Sequence, residues 1–294
     1  MSLTLTAGDL TIHRIIEQEM TFLPAQDMFP DLTSELLAEN RAWLKAAKGL
    51  DDSDTLILCF QSYIVKTPHH TILIDSCIGN DKPRPTRPKW NMKTDDTYMR
   101  ALKAAGLSVA DIDYVMCTHL HVDHVGWNTR LENGKWVPTF PKARYVISKP
   151  DFEYFRKLDA DPKDGPAELG TFRECVLPIV EAGRAELVTG PHRLNEYLDI
   201  MPAPGHSAGH VVFKLESGSS RALFIGDVLH HLIQVYHPDW NFPKNSDADQ
   251  ARASRRKVLE HCASIDALMM PAHVGAPFAG RIEATAKGFV PHFG

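Results

Sequence analysis

Thr118-His119-Leu120-His121-Val122-Asp123-His124 packs three imidazoles and one carboxylate into a single short stretch. In an extended segment alternate side chains share one side, so His119, His121 and Asp123 can project together. A turn after Val122 or Asp123 swings His124 inward as well. Three later positions extend the set to seven side chains: His206 in Pro204-Gly205-His206-Ser207, Asp227 in Ile225-Gly226-Asp227, and His273 in Pro271-Ala272-His273. Imidazole nitrogen and carboxylate oxygen suit Zn²⁺ and also Mn²⁺, Fe²⁺ or Co²⁺, so the donors define the chemistry more sharply than the ion. The chain holds 15 histidines, including His69-His70 and His230-His231. No single one carries weight; the spaced set does.

The surrounding pattern places these donors. Short β-branched runs predict strands over Thr11–Ile16, Leu56–Val65, Thr71–Ile74, Tyr114–Cys117, Arg144–Ile147, His210–Leu215, Arg221–Ile225 and Ala267–Met270. His119, Asp227 and His273 each follow such a run, and strand ends on a rigid sheet can hold ligands drawn from distant parts of a chain. Helical spacing predicts one helix through Leu32, Leu36, Trp43 and Ala47 that stops at Gly49, and another from Thr94 to Ala105 ahead of Gly106. Ser246 with Asp249 resembles a capping box for a helix over Ala251–Cys262. Asp81–Lys89 reads as loop.

Composition narrows the class. At 294 residues, 44% hydrophobic and 23% charged, the chain can bury a full core. The donors run from His119 to His273, which argues for one large domain over 1–294 with a helical insertion at about 22–49. That insertion can cap the site, form a homodimer contact or pack on the parent sheet. A formal charge of −5 with scattered cations offers no footprint for nucleic acid. The densest basic run, Arg252, Arg255, Arg256 and Lys257, reads as a solvated helix face. Five cysteines without a C-x-x-C pair, no basic-then-apolar leader and no long apolar run predict a soluble, cytoplasmic protein without membrane association.

These motifs, together with Leu73-Ile74-Asp75-Ser76-Cys77-Ile78-Gly79, resemble the metallo-β-lactamase-fold metallohydrolase superfamily, nearest its lactonase and organophosphate-hydrolase-like branch. The resemblance covers most of the chain. It implies an α/β (α+β) class and a four-layer αββα sandwich of two mixed sheets, helices outside, with the site on one edge. Position by position it implies that His119, His121 and His206 bind one metal, that Asp123, His124 and His273 bind a second, that Asp227 bridges them, and that Asp75 supports the site. The cofactors are then two divalent ions, Zn²⁺ foremost. Two such ions lower the pKa of a shared water enough to yield a bridging hydroxide at neutral pH.

Branches of the superfamily separate on particular residues. Its zinc β-lactamases carry cysteine in place of Asp227 and lack a histidine at His124. Its flavodiiron proteins place glutamate at His121. The short stretch after His273 disfavours the glutathione thioesterases, and the 46 positions from Asp227 to His273 disfavour the nucleases. The expected reaction is hydrolysis of an ester or lactone bond in a small molecule. Phosphotriesterase or thioesterase chemistry is the alternative on the same site; a mononuclear iron, persulfide-type dioxygenase and a non-catalytic binding module are alternatives of other classes. Asp123 is the candidate proton shuttle, and pure ligation is its other reading. His230 stands three residues after Asp227, where the best-known lactonases carry a tyrosine; as a hydrogen-bond donor to an oxyanion it is the second catalytic candidate. Phe22, Trp90, Trp127, Tyr236 and Trp240 are candidates to line a pocket.

Overall fold

Runs that are apolar at every position, such as Tyr63-Ile64-Val65 and Ile72-Leu73-Ile74, belong to strands covered on both faces. The computed structural model describes residues 4–161, 170–276 and 278–293 and places these runs at the centre of a sheet. Two compact units divide the chain: residues 1–17 with 60–192, and residues 18–59 with 193–294.

The first unit is built on a seven-stranded sheet. Its spatial order begins with β1 (Thr4–Ala7), β2 (Leu10–Pro24), β3 (Thr55–Lys66), β4 (Thr71–Ile74) and β5 (Tyr114–Met116). A separate hairpin, β6 (Thr129–Glu132) and β7 (Lys135–Pro138), turns through Asn133-Gly134, both at positive φ as such a turn requires. The sheet then closes with β8 (Arg144–Ser148) and β9 (Ala185–Val188). From β4 onward neighbouring strands are parallel, with Ile74 opposite Met116 and Met116 opposite Val146. Asp75 and the Thr118–His124 loop therefore leave the sheet from adjacent carboxyl ends, where open α/β sheets place their ligands.

Helices cover one face of this sheet. Leu73, Val115, Tyr145 and Ile147 share a core with Tyr98 and Leu102, Phe155, and Ile179. The last four belong to helices of the unit, whose positions follow from the sequence order: α1 (Ala25–Met28) and α2 (Ser34–Ala46) come earlier in the chain, then α3 (Thr97–Ala104), α4 (Lys149–Ala160) and α5 (Leu177–Glu181). The alternate residues Ile72, Ile74, Met116 and Val146 are buried as well.

The second unit holds a five-stranded sheet in the order β10 (His192–Arg193), β11 (Leu198–Pro202), β12 (Val211–Ser217), β13 (Ser220–Gly226) and β14 (Leu268–Pro271). β13 and β14 are parallel with Gly226 opposite Pro271, so Asp227 and His273 also leave adjacent carboxyl ends. Val212, Leu223, Ile225 and Met269 pack with Val235 of α6 (Ile233–Tyr236) and with Val258, Leu259 and Cys262 of α7 (Ala248–Ser264). Ile282 of β15 (Arg281–Thr285) and Phe289 of β16 (Gly288–His292) complete that core. The 22–49 stretch finishes β2 and then forms α1 and α2. Thr33 Oγ1 accepts the Leu36 N–H at 3.3 Å to start α2, and Trp43 and Ala47 pack on the core of the second unit.

Two expectations about α7 are overturned. Its N-cap is Asp247, which accepts from the Gln250 N–H at 3.0 Å, because Ser246 is engaged elsewhere: its N–H and Oγ–H both donate to the His206 carbonyl, at 3.0 and 3.1 Å. The basic run on the helix is not wholly solvated either. Arg255 is 1% exposed and donates to the carbonyls of Val228 (2.8 Å), Pro238 (2.6 Å) and Trp240 (2.9 Å), while burial lowers its pKa to about 10. The Asp81–Lys89 stretch is loop, as expected, yet Lys82 and Arg84 within it are buried. Among the described residues no helix is long and apolar enough to cross a membrane.

Candidate metal centre

In the first unit the loop after β5 turns between His121 and His124, whose N–H donates to the His121 carbonyl at 3.1 Å. The turn begins earlier than alternation alone suggests and brings all three imidazoles into one group. Ring centroids of His119 and His121 lie 4.6 Å apart, and those of His119 and His124 lie 4.0 Å apart. Asp75, held at φ 55°, ties this loop down. Its Oδ1 accepts the Thr118 N–H at 2.7 Å, and its Oδ2 accepts from Thr118 Oγ1 at 2.8 Å and from His124 Nδ1 at 2.9 Å. Asp151 of α4, fully buried, accepts the Leu120 N–H at 2.9 Å. Glu17 secures the neighbouring loops: it accepts from Trp127 Nε1 (2.8 Å), Lys93 Nζ (2.7 Å) and the Ile78 N–H (2.7 Å).

In the second unit His206 sits in the β11–β12 loop directly after Gly205. That glycine has φ 124°, and a Cβ on it would fall 2.1 Å from the Ala251 nitrogen, so only glycine lets this loop rest on the start of α7. Asp227 faces three imidazoles. Its Oδ2 lies 3.2 Å from His206 Nε2 and 3.3 Å from His230 Nε2, and its Oδ1 lies 3.0 Å from His273 Nε2. Its own N–H donates to His210 Nε2 at 3.0 Å.

Hydrogen bonds at the opposite ring nitrogens determine which nitrogen carries the lone pair. Thr118 Oγ1 spends its proton on Asp75, so it accepts from His119 Nδ1 at 3.0 Å. His124 Nδ1 donates to Asp75, His206 Nδ1 to Asn245 Oδ1 at 2.9 Å, and His273 Nδ1 to the Cys59 carbonyl at 3.0 Å. With Nδ1 protonated, the neutral rings present Nε2 as the lone-pair nitrogen, the arrangement that metal-bound histidines use. Two such lone pairs face a carboxylate here: His206 Nε2 stands 3.2 Å and His273 Nε2 3.0 Å from Asp227, while His119 Nε2 stands 2.9 Å from His121 Nδ1. Acceptors pointed at acceptors repel unless a cation or proton lies among them. Two donors bonded to one Zn²⁺ at about 2.0–2.2 Å sit roughly 2.9–3.5 Å apart, so the spacing of His206, Asp227 and His230 fits a divalent metal, and the His119–His121 pair stands at the same spacing.

All seven expected ligands thus fall into two groups: His119, His121, Asp123 and His124 in the first unit, and His206, Asp227 and His273 in the second, with His230 beside them. Asp123 is partly exposed, its Oδ2 3.8 Å from His124 Nε2. Burial holds His230 neutral, its pKa lowered to about 4 even though Asp227 pulls the other way. The aromatic candidates diverge. Trp127 stacks on Tyr98 within the helix-side core, and Trp90 is buried against Phe60. Trp240 stacks on His237, and Tyr236 lies against Trp43. Phe242, which the sequence does not single out, has its ring 4.9 Å from His230. Asp151, Asn245, His210 and the Cys59 carbonyl likewise carry no local sequence signal.

Residues 61–260 match the model of the Metallo-beta-lactamase superfamily. An N-acyl homoserine lactonase of Bacillus sp is 24% identical over 183 residues, 58% of this chain and 64% of that protein. One from Bacillus cereus is 25% identical over 129 residues, 44% of this chain and 43% of that protein. The chain therefore spans between 43% and 64% of the length of these two relatives. Among solved structures, the hydrolase AbOPH of the beta lactamase superfamily superposes with a TM-score of 0.82 at 20% identity, over 99% of this chain and 96% of that one. AidC, a dizinc quorum-quenching lactonase in complex with a product, gives 0.78 at 23% identity over 99% and 96%. The mixed α/β architecture of this chain is the one those structures share. With the family model matching well over half its length, the chain belongs to the metallo-beta-lactamase superfamily.

Proposed function

We propose that the chain is a dinuclear metal-dependent hydrolase that cleaves the ester bond of a small, partly apolar molecule, a lactone ring foremost. His119, His121 and His206 would hold one divalent ion, Asp123, His124 and His273 the other, and Asp227 would serve both. The observation that carries this reading is that His119, His206 and His273 have Nδ1–H bonded outward and Nε2 at ligand-to-ligand distance from another donor, with His124 Nδ1–H bonded outward beside them. Family membership supports two ions, and the lactonase names of the relatives support the lactone.

Two divalent ions, when bound, supply an activated water at neutral pH and polarise the scissile carbonyl. The remaining work falls to the chain. Asp75 and Thr118 hold the His119–His124 loop in one tautomeric state, and Asn245 and the Cys59 carbonyl do the same for His206 and His273. Asp123, the partly exposed carboxylate of the set, takes the proton of the attacking water and delivers it to the departing alkoxide, a role worth roughly 10²–10⁴-fold in rate. In a lactone that alkoxide stays tethered to the acyl group, so proton delivery also prevents reclosure. Phe242 offers apolar surface beside His230.

The test is an activity panel of acyl-homoserine lactones, simple lactones, aryl esters, thioesters and phosphotriesters, run on protein of measured metal content before and after chelation. Hydrolysis of lactones or esters that disappears on chelation and returns with Zn²⁺ is expected. Two bound ions with no turnover of any lactone or ester would refute the reading. Preferential cleavage of phosphotriesters or thioesters would move the substrate and keep the centre.

A further inference from the structure

His230 is 3% exposed, and among the described residues neither of its ring nitrogens has a hydrogen bond of normal geometry. A buried polar ring without such bonds is costly, so the residue calls for a partner of its own. The ring does not point at random. The backbone N–H of His230 donates to Gln234 Oε1 at 2.7 Å, Gln234 Nε2 donates to the Trp240 carbonyl at 2.9 Å, and Arg255 grips the carbonyls of Val228 and Trp240. Gln234 and Arg255 are themselves buried, so the segment that carries His230 is braced from both ends.

The direction in which it is braced is toward Asp227. His230 Nε2 lies 3.3 Å from Asp227 Oδ2, nearly the 3.2 Å at which His206 Nε2 stands from the same oxygen. The His206 and His230 rings are 4.7 Å apart edge to face, and one ligand atom from each of His206, Asp227 and His230 fits within 4.8 Å of the others. Phe242 and His273 flank the ring, the latter parallel at 6.0 Å, and neither offers it a hydrogen bond.

We propose that His230 is itself a metal ligand through Nε2, added to His206 and Asp227 at the same ion. The assignment rests on the dinuclear reading and deepens it. A ligating Nε2 carries no proton, so His230 cannot at the same time donate from that nitrogen to an oxyanion, the role its place in the sequence suggests. It also differs from its neighbours. His206 and His273 have Nδ1 bonded to Asn245 and to the Cys59 carbonyl, whereas Nδ1 of His230 has no such support. An imidazole without that outer hydrogen bond is a weaker donor, which makes His230 the ligand most readily exchanged for an incoming substrate oxygen.

The experiment compares the unaltered chain with His230→Phe, which fills the same space without a donor, using Co²⁺ as the probe. Metal content, Co²⁺ affinity by chelator competition and the visible ligand-field spectrum are read on both, and circular dichroism checks the fold. The unaltered chain is expected to bind two Co²⁺, and the variant to bind one of them at least about 10-fold more weakly, with ligand-field bands changed in position and intensity. Unchanged affinity and an unchanged spectrum in a folded variant overturn the ligand assignment and leave the dinuclear reading standing. Fewer than two ions in the unaltered chain overturns the dinuclear reading and this assignment with it. His230→Gln, smaller and polar, reads the same quantities where the phenyl ring fails to pack.

Discussion

Replacing Asp75 by Asn isolates the charge that holds the metal loop in register. The residue sits at φ 55°, a conformation that Asn adopts nearly as readily as Asp, so the backbone is undisturbed. The carboxylate, 3% exposed, accepts three hydrogen bonds: the Thr118 N–H at 2.7 Å, the Thr118 hydroxyl at 2.8 Å and His124 Nδ1–H at 2.9 Å. An amide keeps one oxygen for the Thr118 N–H and turns an NH₂ toward the other two donors. The Thr118 hydroxyl can rotate and accept instead. His124 can accept only by adopting the other tautomer, with the proton on Nε2, which removes that nitrogen as a metal donor. Losing one buried hydrogen bond to a charged acceptor costs about 1.5–3 kcal/mol. Expressed in the tautomer that ligates, this is roughly a 10–100-fold weaker affinity for the ion at His124, the range usual for outer hydrogen bonds to ligating histidines. Competition with a chromophoric chelator measures the two affinities, and urea unfolding of the metal-free protein measures stability separately. Both affinities within about twofold of the unaltered chain, with stability alone reduced, would refute the tautomer argument and make Asp75 a purely structural anchor.

Asp227→Ala removes the carboxylate that His206 and His273 both face. It should reduce hydrolysis to background while circular dichroism stays that of the parent, and full activity in this variant would sink the shared-carboxylate centre. All five cysteines are buried, and burial raises Cys262 to about 12 and also lifts Cys117 and Cys175 above the ordinary thiol range. Raised values keep the unreactive thiol form at pH 8, so a thiol reagent should label the native protein only as fast as it opens and should find every cysteine once it is unfolded. Prompt labelling of the native chain would contradict this burial.

The residues proposed as ligands could be read in the sequence because each donor is announced locally: His119, Asp227 and His273 directly follow apolar runs that become β5, β13 and β14. Their supports could not. Asp151 holds Leu120 from 31 positions away, Asn245 holds His206 from 39, and the group on His273 is a backbone carbonyl 214 positions distant. A backbone carbonyl has no side-chain signature at all. Burial of Arg255 is illegible for the same reason, since its partners are the carbonyls of Val228, Pro238 and Trp240, and a cation on an amphipathic helix otherwise belongs in water. Ser246-x-x-Asp249 satisfies the capping pattern, but tertiary structure took Ser246 for the His206 carbonyl and left the cap to Asp247.

A motif therefore specifies which atoms can bind a metal, and the fold specifies which of them carry a lone pair when the metal arrives. A chain with every donor intact but leucine in place of Asn245 would read identically at the motif. His206 would then lose the Asn245 acceptor of its Nδ1 proton, and the balance between its two tautomers would shift. The affinity lost would resemble that of a missing ligand, although no ligand had changed. Judging such a centre from sequence requires the Nδ1 partners as much as the Nε2 donors, and those partners are found only once the strands and α7 have been placed.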